Sequence, residues 1–163
     1  MKTENRILYL VRHAKAIKLM NGIQDVDRPL HEDGIIESYE IAKQLYITNE
    51  IPQLIISSSA ARAISTAVIF QRMLNIPDEQ VKINGKLYEI DLKDLYELVV
   101  DLDDKFQSIM LVGHNPAFTI LANKLEPTVV HMPTASVVKF EFEVTKWRHS
   151  SYINARKELF IYP

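Results

Sequence analysis

Three short, unbroken apolar runs constrain this chain more than anything else in it. They are Ile7-Leu8-Tyr9-Leu10-Val11, Leu54-Ile55-Ile56 and Ile109-Met110-Leu111-Val112. A strand with one face in water alternates apolar and polar residues, so a continuous apolar run of this length predicts a strand covered on both faces. Helical spacing fills the intervals. Ile35, Tyr39, Ala42, Leu45 and Tyr46 mark a helix that opens at Asp33-Gly34 and runs to about Thr48. Ala63, Ala67, Phe70 and Leu74 mark a second, with Ser59 as its expected N-cap. Leu92, Leu95, Leu98, Val99 and Leu102 trace a third from near Asp91. A fourth follows Pro116 in its first turn and reaches about Leu125. Residues 81–83 read as a short strand. Residues 137–144 and 158–162 read as late strands, and in the first of them charged and apolar residues alternate, which predicts one solvated face.

Strands alternating with helices predict a three-layer α/β/α sandwich around a mostly parallel central sheet. The 163 residues lack linkers, low-complexity stretches and repeats, so one domain over 1–163 is the expectation. Cysteine is absent, which excludes disulfides, thiolate catalysis and cysteine metal sites. The N-terminal apolar run of five residues is too short for a signal sequence or a membrane span, so a cytoplasmic protein without membrane attachment is expected. A net charge of -2 and the lack of any Lys/Arg run argue against a nucleic-acid partner.

In such folds ligands gather outside the carboxyl ends of the strands. Arg12-His13-Ala14 follows the first run, Ser57-Ser58 the second with Arg62 four residues on, and Gly113-His114-Asn115 the third. An Arg-His pair alone is weak, and Arg62 alone reads as a surface charge. Together, at strand ends, they describe an anion site. Two guanidiniums can grip a phosphoryl group through several charge-assisted hydrogen bonds. Histidine can attack phosphorus at neutral pH, and neighbouring cations are expected to keep its ring unprotonated. No metal-ligand cluster accompanies the set, and no cofactor is expected.

The motifs Leu10-Val11-Arg12-His13-Ala14, Asp27-Arg28-Pro29-Leu30 leading to Gly34, Ser58 with Arg62-Ala63 and Thr66, and Leu111-Val112-Gly113-His114-Asn115-Pro116 come in this order along nearly the whole chain. With them the sequence resembles the histidine phosphatase superfamily, of phosphoglycerate-mutase-like fold, and within it the short bacterial phosphohistidine phosphatases of the SixA group. The resemblance implies that His13 is the phosphorylated nucleophile and that Arg12, Arg62 and His114 complete the phosphate pocket. It implies Glu89, in Leu87-Tyr88-Glu89, as a candidate general acid. Ser58, Asn115 and Arg28, the last either at the pocket mouth or at the start of a helix, are further candidates for phosphate binding. Ala14, Ser59 and His31 stand where Gly, Pro and Thr are common in the family, and His31 reads as a polar residue before a helix. The implied substrate is a phosphohistidine on a protein such as a histidine-phosphotransfer domain, because little room is left for a cover over the site. A small-molecule phosphomonoesterase and a non-catalytic module that holds phosphate or other oxyanions are the alternatives.

Overall fold

The computed structural model describes residues 5–163. The chain runs β1 (Arg6–Arg12), α1 (Glu32–Ile47), β2 (Leu54–Ser57), α2 (Ala61–Met73), β3 (Val81–Ile83), α3 (Leu92–Val100), β4 (Ser108–Gly113), α4 (Ala117–Leu125), β5 (Val137–Phe142) and β6 (Ala155–Ile161). The six strands form one sheet in the order β3-β2-β4-β1-β5-β6. The first four are mutually parallel, whereas β5 pairs antiparallel with the free side of β1 and β6 antiparallel with β5. The expected mostly parallel sheet is therefore present, with an antiparallel flank.

The apolar runs explain the layers. Along β1, Leu8 and Leu10 point into one core with Ile109, Leu111, Phe118, Leu121 and Trp147. Tyr9 and Val11 point into a second core with Ile55, Met110, Val112, Ile41, Ala63 and Phe70. Successive side chains leave a strand on opposite faces. A run that is apolar at every position thus needs helices above and below, here α3 and α4 on one face and α1 and α2 on the other. Each fully buried large aliphatic chain contributes about 1.5–3 kcal/mol. Among the described residues, no helix is long and apolar enough to cross a membrane.

Some element ends differ from expectation. The N-cap of α2 is Ala60, not Ser59, and no side chain caps it; Ser58 Oγ accepts from the Ala60 N–H one position earlier. Pro116 is the residue before α4, not a member of its first turn. Strand β5 stops at Phe142 and β6 begins three residues before its expected start, at Ala155. Charged Arg156 and Glu158 lie within β6, so its hydropathy is diluted where it pairs with β5. The charged face of β5 is only partly open to solvent: Lys139 and Glu141 are half-buried and Val137, on the same face, is buried. His31 caps α1, its Nδ1 accepting from the Asp33 N–H at 3.1 Å.

Helix α1 lies against the chain just after β1. A Cβ placed on Gly34 collides with the Lys15 carbonyl oxygen and comes within 2.9 Å of the Lys15 nitrogen and 3.0 Å of its carbonyl carbon. These obstacles are backbone atoms and cannot swing aside. Gly34→Ala is expected to cost about 1–3 kcal/mol, read as a fall in Tm of about 2–4 °C per kcal/mol. An unchanged melting curve would mean that α1 can shift freely over residue 15.

Candidate active site

The strand order brings three strand ends into one place. Arg12 pairs with Gly113 across β1 and β4, and Ser57 with Val112 across β2 and β4. Backbone bonds continue the ladder beyond the strands, from His13 N–H to Gly113 O at 2.9 Å and from Ser58 N–H to Val112 O at 2.9 Å. Arg12, His13 and His114 therefore meet because their strands are neighbours, not because they are close in sequence. Helix α2 adds Arg62 from its first turn.

These four line a cleft of about 300 Å³ together with Asp25, Arg28, Tyr88, Glu89 and Asn115. The His13 and His114 rings lie 4.9 Å apart, centroid to centroid, at a tilt of 56°. His13 Nδ1 is 2.8 Å from the Ala14 carbonyl oxygen. A carbonyl can only accept, so Nδ1 carries the proton and Nε2 keeps its lone pair. Arg62 confirms this tautomer, because its Nε–H donates to His13 Nε2 at 3.2 Å. Burial, followed by the guanidinium charges of Arg62, Arg12 and Arg28, lowers the His13 pKa to about 4, against the opposing pull of the Ala14 carbonyl. Neighbouring cations are the cause expected from the sequence, but burial is the larger one. His114 is lowered to about 3, first by burial and then by the charges of His13 and the arginines.

The backbone around His13 is fastened from two sides. The Ala14 N–H donates to Thr66 Oγ1, which in turn donates to the Arg62 carbonyl oxygen, so loop and helix share one hydroxyl. On the other side the Ala135 N–H donates to the carbonyl oxygens of Arg12 and His13 at 3.1 and 3.2 Å. The Met132 carbonyl oxygen accepts from Arg12 Nη1 at 2.9 Å and from Asn115 Nδ2 at 3.2 Å. Arg12 lines the cleft, and its Nε is buried and without a partner among the described residues.

The remaining candidates divide by what their side chains touch. Ser58 stands behind His114, its Oγ 2.7 Å from Nε2, and does not line the cleft. Asn115 lines the cleft, but its carboxamide oxygen accepts from the Thr119 N–H and hydroxyl and its amide reaches Met132. Arg28 lies at the mouth and donates from Nε to Asp25 Oδ1 and from Nη1 to the Ile17 carbonyl oxygen, each at 2.9 Å. Glu89 is exposed at the rim and holds a left-handed backbone conformation, with φ of 57°. A glutamate in that region costs about 1–2 kcal/mol over an extended one.

Two cleft residues escaped the sequence argument. Asp25, in a short 3-10 turn at Asp25–Asp27, accepts from Arg62 Nη2 at 3.0 Å, from Tyr88 Oη at 2.8 Å and from Arg28 Nε. The Tyr88 hydroxyl, then the two arginines, lowers its pKa to about 2 against the effect of burial. The Tyr88 ring meets His114 edge-on at 5.6 Å. The available signal was the Asp25-Val26-Asp27-Arg28 run, of which only the second half was used.

Both histidines titrate below the ordinary histidine value, so the unfolded chain binds more protons than the folded one between about pH 6.5 and their folded values. Stability is expected to fall as pH drops through that window, and both contributions level off below about pH 3. Urea midpoints between pH 7 and pH 4 test this. His13→Ala should flatten the slope, and an equally steep slope would mean that His13 ionises normally.

The histidine phosphatase superfamily (branch 1) model matches residues 8–110. The chain is similar to a structure assigned as the phosphohistidine phosphatase SixA of Agrobacterium tumefaciens, with 28% identity, TM-score 0.83, and 97% of this chain and 98% of that one covered. The protein histidine phosphatase SixA in complex with tungstate shares the fold at 19% identity, with TM-score 0.79 and 96% of each chain covered. An uncharacterized chloroplastic protein of Arabidopsis thaliana is 25% identical over 154 residues, 90% of this chain and 71% of that protein.

Proposed function

The chain belongs to the histidine phosphatase superfamily, branch 1, and from that premise we propose that it is a phosphatase that removes the phosphoryl group from phosphohistidine on a protein, through a phosphoryl intermediate on His13. The carrying observation is the neutral His13 Nε2, its tautomer fixed by Ala14, facing the Arg62 Nε–H.

In the first step Nε2 bonds to phosphorus as the substrate's P–N bond breaks, and the leaving imidazole departs with a proton. In the second, water attacks the phosphoryl group, the His13–phosphorus bond breaks, and inorganic phosphate is released. Arg12 and Arg62 hold the equatorial oxygens, and His114 supports them from the opposite ring. Phosphoryl transfer asks mainly for positioning and charge stabilisation, which these groups supply. Arg62 already occupies hydrogen-bond distance of the reacting nitrogen.

A protein substrate fits the shape of the site. The cleft is small, about 300 Å³, and its rim is formed by side chains of two loops. The 28%-identical neighbour bears a phosphohistidine phosphatase name, which supports the same substrate class. Initial rates test it, with a phosphorylated histidine-phosphotransfer domain set against sugar and amino-acid phosphates. The expected kcat/KM favours the phosphoprotein by about 100-fold or more. Preference for a sugar phosphate would make the protein a small-molecule phosphomonoesterase, and binding without turnover a phosphate-holding module.

A further inference from the structure

We propose that Asp25 aims Arg62 at the reacting nitrogen, and that Arg28 and Tyr88 act through Asp25 instead of touching the phosphoryl group. This rests on the reading of His13 as nucleophile and Arg62 as phosphate ligand.

Arg62 is buried and its guanidinium is held end-on by a single residue. Nη1 donates to the Asp25 backbone oxygen at 2.6 Å and Nη2 to Asp25 Oδ2 at 3.0 Å. A guanidinium is a rigid plane, so fixing both terminal nitrogens fixes the direction of the third N–H. That third group, Nε–H, faces His13 Nε2. Had Arg62 been free to turn about its last bonds, its charge would remain in the cleft but its fork would not face the reacting atom.

A carboxylate beside an anion site ordinarily repels the incoming group. Here three donors cover both oxygens, Arg28 on Oδ1 and Arg62 and Tyr88 on Oδ2. The phosphoryl group therefore meets the guanidinium edge, not the bare carboxylate. Arg28 uses its other engaged nitrogen on the Ile17 carbonyl, pinning the 3-10 turn that carries Asp25 to the chain after β1. Tyr88 binds Asp25 by its hydroxyl and leans its ring on His114, so one hub aligns two of the groups assigned to the phosphoryl oxygens, Arg62 and His114.

The test is a double-mutant cycle on kcat/KM for p-nitrophenyl phosphate, with Asp25→Asn, Arg62→Ala and the pair, alongside the Arg62 Nε–Hε resonance in nitrogen-15 NMR. Misaiming a catalytic group by about 1 Å costs on the order of 100-fold. Asp25→Asn is expected to lower kcat/KM by about 10–100-fold in the parent and by less than about twofold in Arg62→Ala. The Arg62 resonance should move or merge into the exposed arginine signals. Tyr88→Phe repeats the cycle if Asp25→Asn does not fold, with a few-fold loss that vanishes in Arg62→Ala. Equal losses in both backgrounds, or an unmoved resonance, overturn the proposal. Arg28→Met losing the same factor with and without Asp25→Asn would put Arg28 on the phosphoryl group and overturn that part. A harmless Arg62→Ala would sink the reading of the site and this proposal with it. A crippling Arg62→Ala beside a harmless Asp25→Asn sinks this proposal alone.

Discussion

Replacing His13 by alanine is expected to lower turnover by about 10⁴-fold or more, the scale at which enzymes lose a nucleophile. The expectation follows from bonding at one atom. Nδ1 is committed to the Ala14 carbonyl oxygen, so Nε2 is the only ring position left to bond to phosphorus. Its lowered pKa keeps that nitrogen unprotonated at neutral pH. The parent, mixed with substrate and quenched without acid, should gain the mass of one phosphoryl group on His13, and His13→Ala should gain none. A label on Ser58 or on a carboxylate would show that the nucleophile has been misassigned.

Glu89→Gln is expected to divide substrates. An alkoxide is a poor leaving group and must be protonated as it departs, for which a positioned acid typically supplies about 10²–10⁴-fold. An imidazole takes its proton from water on the far nitrogen before the P–N bond breaks and leaves as a neutral ring. The variant should lose most of its kcat/KM on alkyl phosphates and much less on phosphohistidine. Glu89 suits the role by position, exposed at the cleft rim where a leaving group would depart. Equal loss on both substrates would make it a support of the cleft wall, and no loss on either would exclude it from the chemistry.

The parts of the fold legible in the sequence are those whose cause is local. An unbroken apolar run has few solutions other than a strand between two layers, and β1, β2 and β4 lie where the runs are, within a residue or two. The start of β6 was not legible, because its charged residues gain their place only by pairing with β5. The N-cap of α2 failed for a related reason. Ser59 has the right chemistry, but the chain leaves β2 in an extended path that places Ala60 at the cap.

The cleft divides in the same way. Arg12, His13, Arg62 and His114 could be singled out because strand ends converge in a parallel sheet whatever the details. Spacing carries no information on side-chain direction, which is how Ser58 came to stand behind His114 and Asn115 to turn toward Thr119 and Met132. Asp25 and Tyr88 arrive from loops that meet only once the whole chain has closed, and no periodicity marks them.

The pairing of Arg12 with Gly113 sets His13 at the end of the two innermost parallel strands, with β2 and β5 on either side. The rim comes instead from the segments around Asp25 and Glu89, which belong to no strand. An opening of the edge strand β3 or of β6 can thus occur without disturbing the His13 backbone, and the amides of His13 and Ser58 should exchange their hydrogens only when the molecule as a whole unfolds. The same division applies over generations. The rim loops can be rewritten to read a different molecule at little risk to folding, while a change at the cleft floor endangers the structure and the reaction together. A new substrate is within reach of this scaffold far more readily than a new chemistry.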